Sequence, residues 1–408
     1  MLQYVLWGIS FITLWLTIVW LNFLYAEKPS RKHSNPSLTI AIPVYSVDNN
    51  RDPVSTIRSI FASGYKGKLD VIVVDDGSTD DTFKVLQKFN EFPVRIFRKP
   101  NGGKASALNL ALKHSKGEFF AVVDSDSRIG SGSIDASLPH FVDKKIGAVI
   151  SRVRVDSPRT FLESIQRFEY IMSGMIRKIW CNFGTLSITP GVLSIYRTAV
   201  LHKLGGFTHD KTNLTEDLEI ALRLKHNGYQ IFMEPDSVTY TKAPDTISGL
   251  WRQRIRWTRG YIYNHWNYRK MFFSSKHGLF GMFQLPINVL AVILLIANVS
   301  IIGYDVGNRF LEFTIRSITI PDYFITTIFD FPSLKELILA RNVQILLPVA
   351  LSFVCGMYLI VFAHRMFKEK LFKNLMPIVM YTFVMPYFAT VNWIASVAQE
   401  VARAKRKW

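Results

Sequence analysis

The chain has 408 residues, 49% of them hydrophobic, with Lys+Arg 49 against Asp+Glu 31 and a formal net charge of +18. That length holds one sizeable globular domain and more, and the apolar content assigns the remainder to membrane. The positive charge sits beside apolar spans, which argues against a nucleic-acid partner, and two cysteines, Cys181 and Cys355, in unlike settings exclude a disulfide framework or a cysteine metal cluster and point to a reducing compartment.

From Met1 to Ala26 there is no charged residue, and at about 1.5 Å per residue this run crosses a bilayer. The basic residues Lys28, Arg31 and Lys32 follow the span instead of preceding it, the reverse of a signal peptide. Residues 1–26 are therefore expected to anchor a multi-pass protein of the cell membrane, with the following region in the cytoplasm.

From Leu38 to about Tyr240 short apolar strands alternate with polar helical stretches, the pattern of an α/β domain with a mostly parallel sheet and helices on both faces. Leu38–Tyr45 reads as the first strand, and Asp52 caps, and Pro53 opens, a helix to about Ala62. Val71–Val74 is a second strand running into Asp75-Asp76-Gly77-Ser78-Thr79-Asp80, carboxylates followed by a turn and a helix cap. After a third strand near Val94–Phe97, Asn101-Gly102-Gly103-Lys104 carries a lysine into a helix start, where backbone amides and an ammonium together suit a diphosphate.

Phe119–Val123 then reads as a buried strand ending in Asp124-Ser125-Asp126. Ligands of open α/β sheets bind at the carboxyl ends of strands, so these two carboxylates stand at the mouth of a cleft and are close enough to share a divalent cation. Ala148–Val153 is a further strand, and a helix is predicted from about Pro158 to Trp180. Thr215 is an N-cap for a helix to about Asn227, which places Asp217 in its first turn.

Asp245–Phe273 is helical in period and rich in Trp, Tyr and Arg, which suits a helix lying in the membrane interface. Gln253, Arg256 and Trp257 fall at i, i+3 and i+4, on one face, while Arg252, Arg254 and Arg259 read as lipid-facing or structural. Three spans free of Asp, Glu, Lys and Arg follow: Gly278–Tyr304, Asn342–Ala363 and Asn374–Gln399. A mixed-charge connection runs from Asp305 to Arg341, and a basic turn with Arg365, Lys368, Lys370 and Lys373 is placed in the cytoplasm. Four full crossings would leave the basic tail, Arg403 with Lys405, Arg406 and Lys407, on the far side. Pro377 and Pro386 offer the alternative of a last span broken into a re-entrant or interfacial pair.

Taken in order, Asp75-Asp76-Gly77-Ser78, the Gly-Gly-Lys turn, Asp124-Ser125-Asp126, Thr215-Glu216-Asp217 and Gln253-Arg254-Ile255-Arg256-Trp257 form a series that resembles the family-2 membrane glycosyltransferases, the group of the poly-N-acetylglucosamine, cellulose, chitin and hyaluronan synthases. The run Trp251–Trp257 is similar to the bacterial poly-N-acetylglucosamine type. Covering Leu38 to about Phe273, the resemblance implies a GT-A-like α/β glycosyltransferase domain, residues 27–244, inserted between transmembrane helices. Residues 1–26 precede it; amphipathic interfacial helices over 245–276 and a membrane domain over 277–408 follow. The implied donor is a nucleotide-diphosphate sugar, such as UDP-GlcNAc, the cofactor Mg²⁺ or Mn²⁺, and the acceptor a growing glycan or a lipid-linked molecule at the bilayer. Pro43, Asp76, Lys104 and Asp124 would then lie around the nucleotide and diphosphate, with Asp124 and Asp126 at the metal. Asp217 would be the catalytic base, and Gln253, Arg256 and Trp257 would hold the acceptor end and the diphosphate.

The chemistry of such a transfer needs these residue types. A leaving diphosphate gathers negative charge that a hard cation on oxygen ligands stabilises. The attacking hydroxyl gives its proton to a carboxylate, a contribution of ~10²–10⁴ in rate, and one base with no covalent nucleophile implies a single displacement with inversion. Each residue also has a plainer use: Asp124 and Asp126 as cap and turn, Asp217 against the helix dipole, Lys104 as an exposed lysine at a helix start, and the Gln253 face as interfacial anchoring. The series predicts a synthase that elongates and exports a polysaccharide. Transfer of one sugar to a polyprenyl phosphate or glycolipid is the alternative, and an inactive scaffold that keeps the fold is the third. The donor sugar, the linkage and the oligomeric state are not legible in the residues.

Overall fold

The computed structural model describes residues 2–24, 35–46, 52–329, 343–371 and 375–406. Lys28, Arg31, Lys32, Arg341, Lys373 and Lys407, on which part of the sidedness expectation rests, lie outside the described residues. A first helix, α1 (Leu2–Leu21), precedes β1 (Leu38–Val44), α2 (Pro53–Phe61), β2 (Leu69–Asp75), α3 (Thr82–Gln87), β3 (Val94–Arg98), α4 (Lys104–Lys113), β4 (Phe119–Val122), β5 (Arg128–Ile129) and α5 (Ser133–Ser137). Then come β6 (Ile146–Val155), α6 (Phe161–Asn182), β7 (Ser194–Arg197), α7 (Thr198–Lys203), α8 (Glu216–His226), β8 (Gln230–Thr241) and α9 (Ile247–Asn267).

The strands form one sheet in the order β3-β2-β1-β4-β7-β6-β8-β5. β1 pairs in parallel with β2 and β4, and β2 with β3; β7 runs antiparallel between β4 and β6. Alternate residues of the central strands serve opposite faces. Ile40, Ile42, Val71 and Val73 pack with Ile57 and Ile60 of α2, Leu86 of α3 and Ile134 of α5. Ala41, Ile72, Val74 and Phe120 pack on the other face against Ala107 and Ala111 of α4, Met175 of α6 and Ile220 of α8. Each large side chain so buried contributes about 1.5–3 kcal/mol of hydrophobic stabilisation, and burial on both faces is why the strands read as continuous apolar runs. Local signals hold the flanks in place: Asp52 Oδ1 accepts from the Ser55 N–H at 3.0 Å ahead of Pro53, and Thr160 with Glu163 makes a capping box at the start of α6.

Beyond α9 a π-helical segment, Phe280–Gln284, leads into α10 (Leu285–Thr319), followed by α11 (Tyr323–Phe329), α12 (Val343–Met366), α13 (Leu375–Phe383) and α14 (Met385–Val401). Among the described residues, Phe280–Thr319 and Val349–Met366 are long and apolar enough to cross a membrane. The pair α13–α14, bent by 43°, is a third candidate if it is one span, and Trp7–Leu21 is a shorter apolar helix. The span expected to stop at Tyr304 continues as helix through Asp305 to Thr319, because Arg309 pairs with Asp305 one turn back at 2.9 Å and lets the charged stretch stay helical. The last span breaks at Val384 because Pro386, in the first turn of α14, has no N–H with which to continue the preceding helix.

Candidate active site

Asp75 ends β2 and Asp76 follows it, near Pro43 of β1, which lies in register with Val74. The buried Asp76 carboxylate accepts from Lys99 Nζ at 2.6 Å and from the backbone N–H groups of Gly102 and Gly103 at 3.1 and 2.7 Å. Asp76 thereby fixes the glycine turn, in which Gly103 adopts a φ of 84°, a conformation that side-chain-bearing residues rarely take. The Gly102 and Gly103 amides of the turn are thus occupied by the chain's own carboxylate. What projects from the start of α4 is the Lys104 side chain.

Lys104 Nζ lies 2.6 Å from Asp124 Oδ1 and 2.9 Å from Glu216 Oε1, joining the end of β4 to the start of α8. Burial alone would lower the pKa of this ammonium, but the charges of Asp124, Glu216 and Asp217 and the hydrogen bond to Asp124 outweigh it and hold Lys104 above the ordinary lysine range. Gly191 makes room for the arrangement: its carbonyl accepts from the Asp124 N–H at 2.9 Å. A Cβ at Gly191 would overlap the Lys104 ammonium and stand 2.8–2.9 Å from the two Asp124 carboxylate oxygens. Asp126 is half-buried, and Ser127 Oγ donates to its Oδ1 at 3.3 Å. Among the described residues no three His, Cys, Asp or Glu side chains converge to hold a metal ion by themselves. Just beyond the end of β4, Asp124 and Asp126 are the carboxylates that could hold a hard cation, whose remaining oxygen ligands would have to come from elsewhere.

Asp217 stands half-buried in the first turn of α8; its Oδ1 accepts from the Leu218 N–H at 2.8 Å, and its carbonyl accepts from Thr189 Oγ1 at 2.6 Å. Burial first, and the charge of Glu216 second, push its carboxyl up to about 6, against the pull of Lys104, Arg256 and the Leu218 N–H. A carboxyl poised there is a competent general base at neutral pH. Thr215 occupies the N-cap position, but its hydroxyl does not cap α8; it accepts from Asn264 Nδ2 of α9 at 3.0 Å, and Asn213 Nδ2 donates to Asn264 Oδ1 at 2.9 Å. Gly260 permits this close approach of α8 and α9, since a Cβ there would overlap the Thr215 side chain.

On α9, Arg256 Nη1 donates to the Leu214 carbonyl at 3.4 Å and brings its charge to bear on Asp217. Gln253 Oε1 is buried with no hydrogen-bond partner among the described residues, an acceptor in want of a donor. Trp257 is half-buried, with the Arg254 guanidinium 4.5 Å from its ring centre. Arg254 pairs with Glu169 of α6 at 2.8 Å and Arg259 with Glu400 at 2.6 Å, so both are engaged within the protein; exposed Arg252 donates to Ser248 one turn back.

Glu216 lies inside the Thr215-Glu216-Asp217 run without a role having been read for it, and Gly191 and three residues of α6 stand near the site without a motif to announce them. Burial pushes the Arg177 guanidinium down, and the Tyr170, Asp217 and Glu169 groups facing it act in the opposite sense. Burial pushes the Tyr170 phenol up, and Asp126 is among the charges around it. Tyr170 and Arg177 fall at i and i+7, a spacing that shares one helix face and was the available signal, while Glu169 is placed by its pair with Arg254.

The model of a family described as glycosyltransferase like family 2 matches residues 36–260. Poly-beta-1,6-N-acetyl-D-glucosamine synthase of Staphylococcus aureus (strain MSSA476) is 29% identical over 222 residues, 52% of this chain and 52% of that protein. The same-named protein of Staphylococcus epidermidis is 30% identical over 210 residues, 50% of each chain. The chain thus spans about half the length of the curated relatives it matches. In structure it is similar to the mannosyltransferase PcManGT from Pyrobaculum calidifontis, solved in complex with GDP-Man and Mn²⁺, with a TM-score of 0.57 and 21% identity over 90% of this chain and 96% of that one.

Proposed function

This chain belongs to glycosyltransferase like family 2 and has a GT-A-like fold, and from that premise we propose that it is an inverting membrane glycosyltransferase that moves a hexose from a UDP-sugar, UDP-GlcNAc foremost, onto a growing polysaccharide and exports the product. The observation that carries the reading is the Lys104 bridge, which ties Asp124 beyond β4 to Glu216 at the start of α8, beside Asp217, in one charged cluster at the carboxyl edge of the sheet. Likeness to the staphylococcal synthases supports the choice of donor and product.

In this reading Lys104 meets the donor diphosphate, Pro43 and Asp76 shape the nucleotide side, and Asp124 with Asp126 hold Mg²⁺ or Mn²⁺. When bound, the divalent cation neutralises the charge that develops on the leaving diphosphate. Asp217 takes the proton of the acceptor hydroxyl as that oxygen bonds to the anomeric carbon and the bond to the diphosphate oxygen breaks on the opposite face. Arg256 adds positive charge beside Asp217. Gln253 Oε1 accepts from an acceptor hydroxyl, and Trp257 gives the acceptor sugar an aromatic surface. The apolar helices support a membrane setting, with residues 27–244 as a cytoplasmic catalytic domain and 245–276 at the interface.

Single-sugar transfer to a lipid-linked acceptor is the second reading, favoured by the small number of candidate spans among the described residues. The test is purified protein with a panel of UDP-sugars and Mg²⁺ or Mn²⁺, the product analysed by mass and linkage. A ladder or high polymer from one UDP-sugar is expected. A single added sugar selects the second reading, and no sugar-dependent UDP release with any donor overturns both.

A further inference from the structure

Both ends of the last apolar stretch are fastened to the catalytic body. Just ahead of it, the buried Glu369 carboxylate pairs with Arg154 of β6 at 3.0 Å and Arg167 of α6 at 2.6 Å, with Arg152 at 3.7 Å, and Arg152 Nη1 donates to the Phe367 carbonyl at 3.0 Å. Just beyond it, Arg259 of α9 pairs with Glu400 and donates to the Ala404 and Lys405 carbonyls at 2.6 and 3.3 Å. The Arg406 guanidinium lies 3.9 Å from the Tyr263 ring centre, also on α9.

The stretch between these fastenings follows the same surface. Tyr381 of α13 meets Phe168 of α6 edge-on at 5.1 Å; Phe388 and Trp393 of α14 meet Trp251 and Tyr261 of α9 at 5.6 and 5.7 Å; and Thr258 Oγ1 donates to Asn392 Oδ1 at 3.2 Å. The depth of α14 is therefore the depth of α9. That helix carries exposed Arg252 and runs into exposed Arg269 and Lys270, and each such charge costs ~2.5–3.5 kcal/mol or more at the centre of a bilayer. α9 cannot lie there, and neither can the helix bolted along it.

The outward face of the pair is nevertheless apolar. Met376, Val379, Phe383, Val391, Ile394 and Val397 are 43–67% exposed and recur at three- and four-residue steps, while Thr390, Asn392 and Ser396 turn inward and are buried. Exposed Lys368 and Lys370 precede the pair and exposed Arg403 and Lys405 follow it, as suits a headgroup boundary. α14 also packs against α10, one of the two long candidate spans, so the stripe is continuous with lipid-facing surface.

We propose that Leu375–Val401 does not cross the membrane: α13 and α14 lie along its surface as a bent pair whose apolar stripe is submerged in lipid. The crossings after the catalytic body are then α10 and α12, and the basic tail returns to the side of the catalytic body. This resolves the sidedness conflict left by four full crossings, and it holds whatever sugar the protein transfers.

The test uses the full chain with Cys181 and Cys355 replaced by Ala, carrying one of Lys84→Cys, Ile320→Cys or Arg403→Cys, in vesicles of known sidedness with a membrane-impermeant maleimide. Arg403→Cys is expected to react from the same side as Lys84→Cys and from the side opposite to Ile320→Cys; reaction of Arg403→Cys from the Ile320→Cys side overturns the proposal. A second measurement places a fluorophore at Met376→Cys, Val384→Cys or Val397→Cys and quenches it with lipids brominated at graded depths. Equal, shallow quenching depth at all three is expected, and a progression through the bilayer centre overturns it.

Discussion

Asp217 stands between charges of opposite sign, Glu216 beside it and Lys104 and Arg256 facing it, in a buried place that already disfavours ionisation. A base must be unprotonated to work, so kcat/KM is expected to rise with pH through about 6 and level off above it. Because the charge of Glu216 raises this pKa, Glu216→Gln is expected to move the acidic limb to lower pH, and a limb that stays put would show that Asp217 is not the titrating base. Asp217→Asn is expected to lower turnover by at least ~10²–10⁴ while nucleotide binding, read by titration, survives. Asp124, Asp126 and Asp217 were legible in the sequence because each sits where a strand ends or a helix begins. Glu216 lay within the Thr215-Glu216-Asp217 run, but its pairing with Lys104 was not legible, because only the folded sheet brings the two within 2.9 Å.

Among the elements, the central strands announced themselves because both their faces are buried, whereas β8 did not. Its residues Gln230–Thr241 include Pro235 and Asp236, which break an apolar run, and the ladder with β6 accommodates them by slipping between Ser151 opposite Glu234 and Arg152 opposite Val238. α9 was legible as an amphipathic helix, but its arginines were not legible as internal ties, because Glu169 and Glu400 lie on elements remote in the chain. The turn after α12 shows the same long-range logic. Glu369→Gln removes the carboxylate that Arg152, Arg154 and Arg167 share, and removing one partner of such a buried cluster costs ~3–5 kcal/mol. Thermal unfolding in detergent is expected to show a clearly lowered Tm for this variant, and an unchanged Tm would mean that the cluster is not holding the turn.

At the scale of the whole molecule, an α/β body holds the candidate site with apolar helices packed beside it, and the proposed mechanism gives the substrate a share in the ligand set of a bound cation. Chelation with EDTA is accordingly expected to abolish sugar-dependent UDP release, and Mn²⁺ or Mg²⁺ to restore it; release unaffected by chelation would leave the diphosphate to Lys104 and Arg256 alone. The way Glu369 is seated reaches further. It follows α12 by three residues and is gripped by β6 and α6, and α6 in turn presents Glu169, Tyr170 and Arg177 to the site. A spanning helix meets a thinner or thicker bilayer by changing its tilt. With so short a joint, that tilt is expected to pull on α6 as a lever pulls on its load, so turnover measured in vesicles of graded acyl-chain length is expected to change with bilayer thickness, and turnover that ignores it would mean the joint transmits nothing.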